Sequence, residues 1–266
     1  MRREGDEARR PARARAAVSG GRRSAVEPDP PQREFAAGGT LLRAPHVARP
    51  RVARTLRLVI EIVALYVVVP MAMLHVILAY RMPLFAVLPP MLVTFVVVLL
   101  LDRGFSLRRE LSRPIAWRSL AAILATFAIC GGAVAYAMSE LMPHKFLDLM
   151  LNRTETWQRV MLLYPLLSVL PQEIAYRTFF FHRYGPLFRG HRWALILLNG
   201  LLFGFGHVLF ANWIAVAGTM ITGMLFAYRY DATRSFWAVW LEHTLWGWLV
   251  FTVGLGGYFF TGVPNP

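Results

Sequence analysis

Charged side chains are scarce in this sequence. Of 266 residues 17% are charged and 56% hydrophobic, with a mean hydropathy of +0.45. Soluble domains carry about 25% charged residues, so a soluble globular reading is excluded. Cysteine is almost missing. The single Cys130 allows no intrachain disulfide and no cysteine-held metal cluster. It lies in an apolar block and reads as a packing residue, since no cysteine-histidine signature surrounds it. Internal repeats, heptad runs and inverted pairs of broken apolar segments are absent too, which weighs against the commonest transporter architectures. A secretory leader would put its apolar run near the start, whereas here the first such run begins near residue 58, so cleavage is not expected.

Apolar residues gather instead into blocks at about 58–80, 82–101, 119–141, 160–181, 193–211, 213–230 and 235–254. Each approaches the roughly 20 residues needed to cross about 30 Å of hydrocarbon. The expected fold is an all-α polytopic membrane bundle of seven helices, with room for an eighth short or re-entrant segment. Residues 1–54, rich in Arg, Ala and Pro, read as a disordered cytoplasmic tail, residues 55–159 as N-terminal membrane helices, residues 160–256 as the functional core and residues 257–266 as a short tail.

A net charge of +14 does not point to nucleic acid. Of the 29 basic residues, 14 precede residue 58, against six acidic ones there. Ten of the 14 later arginines fall in alternate loops: Arg103, Arg108, Arg109, Arg113 and Arg118, then Arg183, Arg189 and Arg192, then Arg229 and Arg234; Arg81, Arg153 and Arg159 lie in the other loops, where Asp148 and Glu155 offset the latter two. Cytoplasmic loops carry this excess, so the N-terminus is expected inside and the C-terminus outside. Anionic lipid is the plain partner for the basic tail.

An ionisable group in a span costs at least about 2.5 kcal/mol at its centre, so each needs a partner or a function. From the fourth block onward these groups are Glu173, Arg177, His207, Glu242 and His243, with Gln172 and Asn199 as neutral polar neighbours. Glu61 and His75 lie near the ends of the first block, where snorkelling suffices. Glu173 and Arg177 stand four apart, on one helix face, with the acid N-terminal. His207 follows Phe203 by four residues among Gly200, Gly204 and Gly206, which allow close helix approach. A carboxylate and two imidazoles in a dry bundle can activate water and stabilise an oxyanion.

Three motifs carry a resemblance. The sequence is similar to the CPBP family of intramembrane proteases, also called CAAX-protease and bacteriocin-processing or Abi proteins. The family pattern is Glu-Glu-x-x-x-Arg, Phe-x-x-x-His and His-x-x-x-Asn on separate membrane helices. Here these are Gln172-Glu173-x-x-x-Arg177, Phe203-x-x-x-His207 and His243-x-x-x-Gly247. The resemblance implies an endopeptidase in which a glutamate and the first histidine activate water while the last histidine and the asparagine hold the oxyanion. It implies a membrane-anchored protein or peptide substrate and a multi-pass protein of a plasma membrane such as the bacterial inner membrane.

Two positions depart from the pattern. Gln172 replaces the leading glutamate, and an amide is no base near neutral pH; Gly247 replaces the asparagine donor. A variant in which Glu173 takes the base role, an inactive relative, and a misaligned motif all remain open, and the first is favoured. Glu173 and His207 would then activate water, His243 would hold the oxyanion, and Asn212 or Trp246 would replace the missing donor. No cofactor is expected. The alternative is a zinc site of Glu173, His207 and His243, a His₂Glu set that catalytic zinc accepts, though no His-Glu-x-x-His occurs. A non-enzymatic scaffold or immunity factor is the third reading. A Gly-x-Ser-Gly serine-protease motif is absent from the blocks.

Overall fold

The structure is a computed structural model describing residues 49–82 and 84–259, with side chains described from residue 52 and not for 84–88. The expectations for the tail before residue 49 and the segment after 259 lie outside the described residues. Residues 49–54, expected in the tail, are instead the first turns of a helix.

Seven long helices coincide with the seven apolar blocks, and no strand occurs among the described residues. Helix α1 runs through Arg49–Val63, a wide π turn at Ala64–Val68, and Val69–Tyr80. Helix α2 is Leu84–Leu101; α3 joins Trp117–Thr126 to Gly132–Leu141 through a π turn at Phe127–Gly131. Helix α4 spans 154–184, α5 is Arg192–Gly206, α6 is Trp213–Thr233 and α7 is Phe236–Thr252. By length and composition, Val52–Tyr80, Trp117–Leu141 and Arg192–Phe210 are long and apolar enough to cross a membrane. The chain is an all-α membrane bundle.

Helix α4 holds the key to the site. Pro165 and Pro171 each lack an amide donor and crowd the preceding turn, and α4 answers with π turns at Pro165–Val169 and Ile174–Phe179. Such wide turns rotate the residues that follow relative to an unbroken α-helix. In the second one, the Ala175 carbonyl accepts from Tyr66 Oη at 2.6 Å and the Tyr176 carbonyl accepts from Asn199 Nδ2 at 2.7 Å. Tyr66, Phe179, Phe180, Tyr184, Phe203 and Phe226 then form the buried aromatic core around α4.

Helices α5 and α6 meet most closely at glycine. A Cβ on Gly204 would stand 2.7 Å from Met220 Cβ and 2.9 Å from the Val216 carbonyl oxygen. The two backbones approach there because α5 carries no side chain at the point where it faces Met220. Helices α6 and α7 are tied by Arg229, whose Nε and Nη2 donate to Glu242 at 2.9 and 3.0 Å. Both are buried. Arg229, read from sequence as a loop charge, is therefore an interior partner.

Two other expectations change. Glu61 does not snorkel: it accepts from Arg183 Nη2 at 2.8 Å and Tyr184 Oη at 2.9 Å, joining α1 to α4. Cys130, expected to pack inside, is exposed in the π turn of α3. In the loop after α2, the Gly104 amide and the His182 imidazole donate to Asp102, which holds its carboxyl below the usual carboxylate range.

Replacing Gly204 by Leu should force α5 away from α6 and cost about 1–3 kcal/mol. A lowered thermal unfolding midpoint in detergent, without change for a lipid-facing control such as Ile221→Leu, is the expected result.

Candidate active site

Glu173 is fully buried, and a carboxylate in such a place must be compensated or several kcal/mol is lost. Its Oε1 accepts from His243 Nδ1 at 2.8 Å. Its Oε2 lies 3.5 Å from Arg177 Nε, an ion-pair distance, while neither atom makes a hydrogen bond within the protein. The guanidinium contributes charge there more than directed bonding.

Arg177 is itself completely enclosed. Its Nη1 donates to Asn199 Oδ1 at 2.7 Å and its Nη2 to the Gly223 carbonyl at 3.4 Å. The guanidinium carbon lies 4.8 Å from the Phe203 ring centre and 5.8 Å from that of Phe226, so aromatic faces replace part of the lost hydration. The Glu173–Arg177 spacing seen in the sequence thus becomes a buried pair supported by α5 and α6.

The two histidines are oriented in the same way from different helices. His243, on α7, has its Nδ1 on Glu173, which leaves Nε2 toward Tyr164 Oη at 3.3 Å. His207 opens the turn after α5, and its Nδ1 donates to the Phe203 carbonyl at 2.7 Å. Each Nδ1 faces an obligate acceptor, so each Nε2 is the unprotonated nitrogen when the ring is neutral. The Phe203 ring lies 4.7 Å from His207 and 5.6 Å from His243 by ring centres, wedged against both.

Both imidazoles line a cavity of about 240 Å³. Polar groups of Tyr164, Ser168, Gln172, His207 and His243 line it together with apolar side chains such as Val134, Phe210, Ile214 and Leu249. Glu173 is not among the lining residues: it stands behind His243. Gln172 does line the cavity, with Nε2 donating to Ser168 Oγ at 2.9 Å and Oε1 buried without a partner.

The structure therefore brings Glu173, Arg177, Phe203 and His243 into one connected group, with His207, Gln172 and Gly247 around the same cavity. Asn212 is elsewhere. Its Oδ1 accepts from the Ile214 amide at 2.8 Å as the N-cap of α6, and it faces a separate outer groove. Trp246 lines the cavity, and its Nε1 has no acceptor.

Tyr164 and Ser168 were not singled out from sequence. Hydroxyls carry no charge to mark them as misplaced in lipid, but their spacing with Gln172, four residues apart twice, was the available signal. Among the described residues, no group of three or more His, Cys, Asp or Glu side chains is placed to hold a metal ion. The His₂Glu set proposed from sequence is thus not gathered as a ligand sphere, since Glu173 faces only the far side of His243.

Comparison with known families matches residues 154–249 to a model described as type II CAAX prenyl endopeptidase Rce1-like. Neither comparison with curated proteins nor comparison with solved structures gives a match.

Removing one member of the buried pair leaves an uncompensated charge, a loss of about 3–5 kcal/mol. Arg177→Met should lower the unfolding midpoint strongly in detergent, and the double variant Glu173→Gln/Arg177→Met should recover much of that loss. Additive losses in the cycle would show that the two side chains do not interact.

Proposed function

We propose that this chain is an intramembrane endopeptidase that hydrolyses a peptide bond near the lipid anchor of a membrane-attached protein or peptide, a reading supported by the match of residues 154–249 to the model described as type II CAAX prenyl endopeptidase Rce1-like. The observation that carries the reading is the 2.8 Å contact from His243 Nδ1 to Glu173 Oε1 at the rim of a cavity shared with His207. In this reading seven helices cross the bilayer with the N-terminal side cytoplasmic, in keeping with the arginine bias of alternate loops.

His243 is the general base. Its Nδ1–H is held by the Glu173 carboxylate, so Nε2 accepts a proton from water, and Glu173 compensates the imidazolium that forms. His207, neutral and anchored through Nδ1 on a backbone carbonyl, offers its own Nε2 as acceptor for the second O–H. A water held by both rings presents a lone pair to the substrate carbonyl carbon. Attack forms the new C–O bond and moves the carbonyl π pair onto oxygen. Collapse of the tetrahedral species then breaks the C–N bond, and the proton on His243 Nε2 passes to the leaving nitrogen.

This assignment differs from the one expected from sequence, where Glu173 and His207 shared the water. Glu173 acts instead through His243, and the loss of a carboxylate at Gln172 leaves a base in place. Gln172 Oε1, an acceptor without a partner, is suited to a substrate amide N–H.

With the full chain in lipid nanodiscs and an internally quenched farnesylated peptide ending in a Cys-a-a-Ser sequence, Glu173→Gln and His243→Ala should each lower kcat by about 10³-fold or more. His207→Ala should cost about 10²-fold. Turnover should persist in strong chelator. Wild-type turnover in folded Glu173→Gln and His243→Ala proteins would remove the proposal, and an inert wild-type chain would favour the scaffold reading.

A further inference from the structure

We propose that the Tyr164 hydroxyl is the hydrogen-bond donor that stabilises the oxyanion in this site, an inference that rests on the hydrolytic reading above. Tyr164 lines the cavity and reaches His243 from the side opposite Glu173, with Oη 3.3 Å from Nε2. That distance is long for an O–H···N bond. The hydroxyl is therefore weakly held in the resting site and is free to rotate toward an oxygen that gains charge beside Nε2. A donor that binds the ground state weakly and the anion strongly contributes to rate and not to substrate affinity.

Room for this side chain is made by Gly247. It lies one helical turn after His243 and so presents the same face of α7. A Cβ at Gly247 would stand 2.6 Å from the Tyr164 hydroxyl oxygen and collide with the ring. The tyrosine ring is further held against α7 by an edge contact with Phe251, 5.4 Å between centres. Position 247 is where the family pattern puts an asparagine. Here α7 gives up its side chain and α4 supplies a hydroxyl from the facing helix, so the exchange is one of donor and of volume together.

Two other donors on the cavity are less well placed. Gln172 Nε2 is engaged by Ser168 Oγ at 2.9 Å. Trp246 Nε1 is buried without a partner, and no contact links it to either imidazole.

The test uses the full chain in nanodiscs and the same farnesylated peptide. Tyr164→Phe keeps the ring and removes only the donor. It should lower kcat by about 10²–10³-fold while KM changes little and the unfolding midpoint stays near wild type. Tyr164→Ala should be equally impaired, and Tyr164→Ala/Gly247→Asn, which returns a donor from α7 into the vacated space, should recover at least about tenfold of the lost kcat, or about 1.4 kcal/mol. If Tyr164→Phe turns over like wild type while His243→Ala is inactive, the tyrosine assignment is overturned and the hydrolytic reading stands. A parallel fall in stability and rise in KM, with kcat preserved at saturation, would assign Tyr164 a packing role and likewise overturn it. Failure of the wild-type chain to cleave the peptide brings down both.

Discussion

A single buried carboxylate organises the core of this protein. Glu173 is closed off from lipid and from the cavity alike, and every nearby element bears on its charge. Arg177 supplies the opposite charge from the same helix, but its Nε at 3.5 Å is not aligned for a hydrogen bond. The directed contact comes from His243 at 2.8 Å, across the bundle. Desolvated ions demand both charge and hydrogen bonds, and here the two requirements are met by different helices. That division brings α4 and α7 together at one atom pair, and Asn199 of α5 and Gly223 of α6 complete the arrangement by holding the guanidinium.

The rotation of α7 is fixed by adjacent residues with opposite assignments. Neighbouring positions on an α-helix point about 100° apart. Glu242 turns toward Arg229 on α6, and His243 turns toward Glu173 on α4. Either pair alone would tolerate some rolling of the helix. Both together do not, and the stacking of Phe226 on the His243 ring, 4.9 Å between centres and 25° from parallel, closes the remaining freedom. Buried ion pairs add little net stability; in this bundle their effect is to set which side of α7 meets the cavity.

Much of this was legible in the sequence, because a charge in an apolar block is conspicuous. Glu173, Arg177, His207, Glu242 and His243 stood out for that reason, and so did the number and order of the helices. The facing of individual side chains was not legible. Two π turns in α4 alter the angular step per residue, so simple helical spacing could not tell that Gln172 would line the cavity while Glu173 turned away from it. Arg229 reads as a loop charge because it stands at the very end of its apolar block, whereas α6 runs on to Thr233 and keeps it inside the helix. Asn212 stood at the start of a helix, where an asparagine most often serves as N-cap, and does so here. Tyr164 and Ser168 passed unnoticed because a hydroxyl in a membrane helix breaks no rule that composition can detect.

The mixed lining of the cavity bears on what the proposed chemistry would act on. Imidazoles, an amide and hydroxyls share it with aliphatic and aromatic side chains such as Val134, Phe210, Ile214 and Leu249. A substrate presenting only a peptide would leave the apolar lining without a partner, and one presenting only a lipid would leave the unpaired acceptor of Gln172 and the Nε2 atoms unused. Under the proposed hydrolysis, a molecule with a scissile amide a few bonds from an apolar chain would satisfy both kinds of lining at once. In that proposal, burial of the chain would supply binding energy at a distance from the reacting atoms and would hold the amide where bulk water is excluded and hydrogen bonds to the developing anion are strongest.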